Sequence, residues 1–280
     1  MTGLDAESFF EGIHQVDVWA AGRKVKLPLF YRDARAYGAV FPANIFELKK
    51  LLPDPRFSPA QIFPGVGAIA IACFEFHETD IGPYSEIAFS IALNSPHMLA
   101  IPGYNLARQL VQSTFHPYIF HLPVTTETAL RWGVDFSGFP KVLASIAFAD
   151  SDGLTSCELK EESELVCKLN FRRIAAPLRR DVKLLISLYQ QRQPQQTEFA
   201  VNARSLGISP GPRDVELQIG MKHPVARALE RALITKKAIG SFSMPSAQFI
   251  LYGPGNLSLP LLDFLLQSGM RIPLDALKKE

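Results

Sequence analysis

Hydrophobic residues recur along this chain with two periods, and the shorter one dominates. GVGAIAIACFEF at 65–76 reads as a strand, apolar on both faces at first and alternating toward its end. IAFSIAL at 87–93 is a second strand-like run, and the intervening HETDIGPYSE turns at Gly82-Pro83. YIFHLPV at 118–124 is a further short strand. Strands are also predicted at 142–149, 154–160 and 164–171, the last two joined through EESE as a hairpin. The pattern continues at 181–190 and 198–202. It returns in FSMPSAQFILYG at 242–253, where a proline near the start of a strand is tolerable because its missing N–H need not be paired.

Helical spacing is confined to short stretches. IFELKKLL at 45–52 places Ile45, Leu48, Leu51 and Leu52 on one face, and Pro53 stops it. TETALRWG at 126–133 has helical spacing with Gly133 as a C-terminal stop. HPVARALERALI at 223–234 turns Val225, Leu229, Ala232 and Leu233 inward. RSLGISPGPR, within 203–213, reads as a loop, residues 1–24 as a mixed lead-in, and the tail PLLDFLLQSGMRIPLDALKKE as a short amphipathic helix with an exposed end. There is no internal repeat, heptad or Gly/Ser linker. The pattern predicts one α+β domain dominated by antiparallel strands.

Composition narrows the function classes. With 280 residues, 48% of them apolar, the chain is long enough for a sizeable core. Its 20 Phe and 21 Pro suit strands broken by turns. A net charge of +2, from 29 basic and 27 acidic residues, gives no concentrated basic surface, so nucleic acid is not an expected partner. The longest apolar run is too short to span a bilayer, and no membrane partner is expected. Cys73, Cys157 and Cys167 make no disulfide framework and no CxxC, and the N-terminus carries no signal-peptide pattern. The expected location is cytoplasmic.

Familiar catalytic signatures are missing. There is no phosphate-binding GxxxxGK[ST], no HExxH, no GxGxxG and no GxSxG. His14, His77, His97, His116, His121 and His223 show no ligand spacing, so no metal and no cofactor are expected. What stands out is FSGFPKVLAS at 136–145. Lys141 sits among Phe136, Phe139, Pro140, Val142, Leu143 and Ala144, and the nearest acid in sequence is Asp135. Desolvation disfavours an ammonium and so favours the free amine, the form that attacks ketones and aldehydes.

GFPKVLASIAF resembles the Schiff-base lysine segment of the acetoacetate decarboxylase-like superfamily, in which an aromatic-Pro-Lys triplet carries the catalytic amine. VFPANIFELKKLLPDPRF at 40–57 is similar to the family's early strand, helix and LLP segment. GPYSEIAFSIAL at 82–93 resembles the segment with its active-site glutamate, and SFSMPSAQFILY its closing strand. The likeness covers about residues 28–252, with 253–280 as a C-terminal extension of a single domain. It implies a mainly antiparallel, barrel-like α+β fold. It makes Lys141 the nucleophile and Glu86 either a general acid/base or a group that positions a substrate carboxylate by repulsion. Phe139 and Phe136 become candidate substrate-binding residues.

Two positions depart from the family. The second lysine that typically follows the nucleophile is Val142 here, so activation by an adjacent cation, a device known from acetoacetate decarboxylase itself, is lost and burial is left. The family's early arginine aligns with Ala34. Arg35, one residue on, is the candidate catalytic replacement and Arg32 the other neighbour, although a one-residue offset turns a strand side chain to the other face. The resemblance implies a Schiff-base lyase, first a decarboxylase of a 3-oxo acid such as acetoacetate. The same iminium also serves a lyase or aldolase-dehydratase acting on a 2-oxo acid, and a non-catalytic barrel holding an apolar ligand is the third reading. The expected partners are a small-molecule keto acid and further copies of the chain in a homo-oligomer.

Overall fold

A computed structural model describes residues 8–20, 23–96, 98–190, 192–253 and 255–256. Hydrogen bonding runs from Gln193–Pro210 through Gly240–Leu251, Leu29–Asn44, Val66–Thr79, Tyr84–Ala92 and Pro117–Val124 to Leu178–Gln190. Leu178–Gln190 pairs in turn with Gln193–Pro210, so the circuit closes into a barrel. The closing seam is narrow, with Leu178–Gln190 meeting Pro117–Val124 at the single pair Ser187–Tyr118 and Thr114–Phe115 beside it. The fold is α+β and mainly antiparallel, as the sequence predicts.

Strand alternation gives the barrel wall two apolar faces. The inner face carries Ala34, Ala36, Phe74, Phe76, Tyr84, Ala88, Leu122 and Val124. The outer face carries Ile69, Ile71, Cys73, Ile87, Phe89 and Ile91. Against that outer face packs a second sheet, ordered Ser145–Ser151, Leu154–Glu161, Glu164–Arg172, Val215–Ile219, together with the helix Pro224–Ala232. Its predicted hairpin turns through Glu162 and Ser163, both at positive φ.

Several predicted boundaries change. The segment 203–213 is not a loop: the strand Gln193–Pro210 continues through it, bonded to Gly240–Leu251 with register shifts around Ser205. Gly207 permits this, because a side chain there would meet Ala175 O at 2.6 Å and Ser243 Oγ at 2.9 Å. The helix at 126–133 is shorter, Glu127–Arg131, capped by the Thr126 hydroxyl, and it widens into a π-helical turn over Trp132–Ser137. Tyr104–Gln112 is a helix that the apolar pattern does not announce. It buries Asn105 and Gln109 and leaves Leu110 and Val111 exposed, so its polarity is inverted. The predicted tail helix lies outside the described residues.

Candidate active site

Lys141 is placed by backbone rather than by chance of rotamer. The π-helical turn ends at Gly138, whose φ of 67° is readily available only to glycine. The Phe139 N–H donates to Gly133 O at 3.0 Å, and the Leu122 N–H donates to Pro140 O at 3.1 Å. Lys141 then opens the short strand Lys141–Leu143, parallel to Pro117–Val124 with Leu122 as its partner. Its aliphatic stem crosses Gly133 so closely that a Cβ there would lie 2.3 Å from Cδ and 2.5 Å from Cε.

The amine ends in the barrel interior. The Lys141 side chain is 3% exposed, and its Nζ lies 2.8 Å from Oε2 of Glu86, which is 12% exposed. The two make a close ion-pair contact without hydrogen-bond alignment, and no aligned donor reaches that oxygen. The lysine that is isolated in sequence is therefore paired in space. Nζ also lies 5.4 Å from the Tyr84 ring centroid and 5.9 Å from that of Phe139. The side chain of Phe136 lies outside the described residues.

Glu86 reaches the amine because of register. Ala36, Phe74 and Glu86 are successive cross-strand partners, with Val124 beyond them. The adjacent row is Arg35, Glu75 and Ser85, and adjacent rows point to opposite faces. Arg35 is accordingly outside the barrel and does not join Lys141, which corrects its assignment to the site. Its guanidinium pairs with Glu75 and, at 2.7 Å, with Asp150 of the second sheet, and it lies over the Tyr37 and Phe148 rings. Burial opposes its charge, but the bonds to Asp150 and Glu75 outweigh this and hold it protonated beyond its ordinary range. Arg32 is bound to Asp80 at 2.7 Å. The inner-face residue at this level is Ala34.

The site holds two polar groups that the sequence reading missed. Tyr84 lies two residues before Glu86 on one strand and shares its face, and its hydroxyl is 3.2 Å from that of Tyr31. Both phenols are buried. Burial and then the Glu86 charge push Tyr31 far above the usual phenol range; burial, then Tyr31 and Glu86, do the same for Tyr84. Both stay protonated O–H groups. Around them are Phe74 stacked on Phe76 and Phe199 stacked on Phe249.

A second cluster of titratable groups lies elsewhere. Nε2 of His121 and of His223 approach the two oxygens of Glu161 at 2.6 and 3.3 Å. Nδ1 of His223 accepts the Val225 N–H at the start of the helix Pro224–Ala232, which assigns the proton to Nε2. This cluster ties barrel, second sheet and helix together. Among the described residues no group of His, Cys, Asp and Glu is arranged to hold a metal ion.

The fold is shared with solved proteins of low sequence identity. An acetoacetate decarboxylase from Legionella pneumophila subsp. pneumophila str. Philadelphia 1 superposes with a TM-score of 0.58 at 13% identity, over 82% of this chain and 87% of that one. An acetoacetate decarboxylase-like enzyme from Sphingomonas wittichii RW1 gives 0.52 at 15%, over 86% and 98%. The enduracididine biosynthesis enzyme MppR, complexed with the condensation product of pyruvate and imidazole 4-carboxaldehyde, gives 0.54 at 14%, over 82% and 88%. No curated protein sequence matches the chain. The sequence profile of the acetoacetate decarboxylase (ADC) family, however, matches residues 19–202, more than half of its 280 residues. The chain belongs to the acetoacetate decarboxylase family.

Proposed function

We propose that this chain is a Schiff-base lyase in which Lys141 condenses with the carbonyl of a small keto substrate. The observation that carries this reading is the contact of the nearly inaccessible Lys141 amine with Glu86 at 2.8 Å. An ammonium must lose a proton before it can attack, and Glu86 is the acceptor within reach. The amine adds to the carbonyl carbon, and the carbinolamine takes a proton as its hydroxyl leaves as water. The resulting iminium draws electrons from a bond one carbon away. In a 3-oxo acid that bond is to the carboxylate, which departs as CO2; the enamine left behind is protonated and hydrolysed to the ketone and the free lysine.

Aldol-type cleavage uses the same iminium, and one observation favours giving it equal weight. Arg35, the candidate to meet a substrate carboxylate, is committed to Glu75 and Asp150 on the outer face. Separately from the arginine, the likeness in fold to MppR, complexed with the condensation product of pyruvate and imidazole 4-carboxaldehyde, supports carbon–carbon bond chemistry at such a site.

Borohydride reduction tests the common step. The full chain incubated with acetoacetate, pyruvate or an aldehyde and then reduced is expected to gain a stable adduct, mapped to Lys141 by peptide mass spectrometry. Glu86→Gln is expected to slow adduct formation about 100-fold, as for loss of a general acid/base. No adduct with any of a broad carbonyl panel overturns both lyase readings and leaves the ligand-binding barrel. CO2 release from acetoacetate then separates decarboxylation from aldol chemistry.

A further inference from the structure

We propose that the Tyr31–Tyr84 hydroxyl pair is a substrate-binding element, and that it selects a ketone or aldehyde carrying a second, uncharged oxygen, a hydroxyl or carbonyl, rather than a carboxylate. This inference rests on the Schiff-base reading of Lys141, goes with the aldol-type reaction rather than decarboxylation, and names the substrate class of that site.

The hydrogen-bond count comes first. A phenol has one O–H and two lone pairs. In the 3.2 Å contact between Tyr31 and Tyr84 one O–H is consumed and the other remains to donate. Among the described residues neither hydroxyl has another hydrogen-bond partner. The pair is buried, so the spare donor faces protein or substrate rather than bulk water. An unmet buried donor is costly, and a substrate oxygen is the acceptor that removes the cost.

Position and charge decide the kind of oxygen. Tyr84 shares the face of Glu86, and the Lys141 amine lies 5.4 Å from its ring centroid, so the donor belongs to the neighbourhood in which a carbonyl carbon would be attacked. Both hydroxyls feel the Glu86 charge. A substrate carboxylate placed on them would lie near that carboxylate, among the rings of Phe74, Phe76, Phe199 and Phe249. The cation at hand, Lys141, already faces Glu86, and Arg32 and Arg35 are bound to Asp80 and to Glu75 with Asp150. A hydroxyl or carbonyl oxygen accepts the same bond without a second negative charge in low dielectric. The protonated state of the phenols fits hydrogen-bond donation rather than proton transfer.

The test compares three probes of similar size by borohydride trapping on the full chain: butan-2-one, 4-hydroxybutan-2-one and acetoacetate. The readout is the concentration that gives half-maximal modification of Lys141. 4-Hydroxybutan-2-one is expected to reach it at about 10-fold lower concentration than either other probe, the worth of one neutral hydrogen bond. The double variant Tyr31→Phe/Tyr84→Phe, checked by circular dichroism, is expected to collapse the ratio between 4-hydroxybutan-2-one and butan-2-one toward one, because either single substitution leaves one O–H free to donate. Preferential capture of acetoacetate, or a ratio that survives in the double variant, overturns the inference while leaving the Schiff base intact. No adduct with any of the three probes overturns the Schiff-base reading and the inference with it.

Discussion

Gly133→Ala is expected to damage adduct formation without unfolding the protein. Gly133 lies in the π-helical turn and is not among the residues at positive φ, so its backbone accepts an L-residue. Replacing glycine in a helical segment restrains the unfolded chain and is worth about 0.5–1 kcal/mol in favour of folding. Opposing this, the new methyl would sit 2.3 Å from Lys141 Cδ, 2.5 Å from Cε and 3.1 Å from Cγ. Ordinary carbon contacts are about 3.5–4.0 Å, so the stem must swing by about 1 Å or more. The obstacle is a flexible side chain rather than backbone, and the displacement passes to Nζ. A misplacement of about 1 Å at a reacting group costs about 100-fold in rate, or about 2.7 kcal/mol. The assay is the rate of borohydride-trapped adduct at Lys141 beside the thermal midpoint. A slow variant with a midpoint near that of the parent is the expected result. An unchanged trapping rate would refute the claim that Gly133 sets the path of the Lys141 stem.

Arg35→Met is expected to lower stability by about 1–2 kcal/mol, because it leaves Glu75 and Asp150 facing each other between barrel and second sheet, yet to retain the Lys141 adduct; urea unfolding and trapping together check this. His116 has its pKa lowered by burial and then by Arg108, so the unfolded state binds more protons as pH falls below about 6.5. The stability tied to its neutral form is full above that pH and is lost on acidification through the lowered folded value, and His116→Asn should flatten this part of the urea-midpoint profile. Lys141→Met combined with Glu86→Leu is expected to match or exceed parental stability, whereas either single substitution leaves a buried charge and costs about 3 kcal/mol. Calorimetry on the three variants distinguishes these outcomes.

What the sequence reveals of the site depends on how local each feature is. Lys141 is legible because its surroundings, Phe-Pro before it and Val-Leu-Ala after it, are contiguous. Glu86 is legible only through family likeness, since its approach to the amine needs two strands brought into register across the barrel. Arg35 is misread for a definite reason: it is the arginine one residue from the position, here Ala34, that the family fills with one, and from Ala34 onward the strand alternates regularly, so that offset turns Arg35 outward. Tyr31 reads as core beside Phe30 and Leu29, and nothing near it marks its hydroxyl as functional. Tyr84 is different, because its spacing of two from Glu86 already places both on one face of any strand through Tyr84–Ala92.

The fold was more legible than the site because its evidence is redundant. Each long strand repeats its alternation several times, and errors such as the loop reading of 203–213 change a boundary without changing the sheet. A site is a set of single residues, each used once. The Lys141–Glu86 pair shows why it must be argued from chemistry rather than from stability. Two opposite charges within a mainly apolar barrel interior lose hydration that their attraction only partly returns, and an apolar pair of like volume holds a core as well or better. The adjacent Gly133, Gly138 and π-helical turn keep the lysine where that cost is incurred. A helical turn of this irregular kind is common at functional sites. Packing alone gives no reason to place an amine and a carboxylate 2.8 Å apart in that interior, whereas a nucleophile that must hand off its proton before each turnover does.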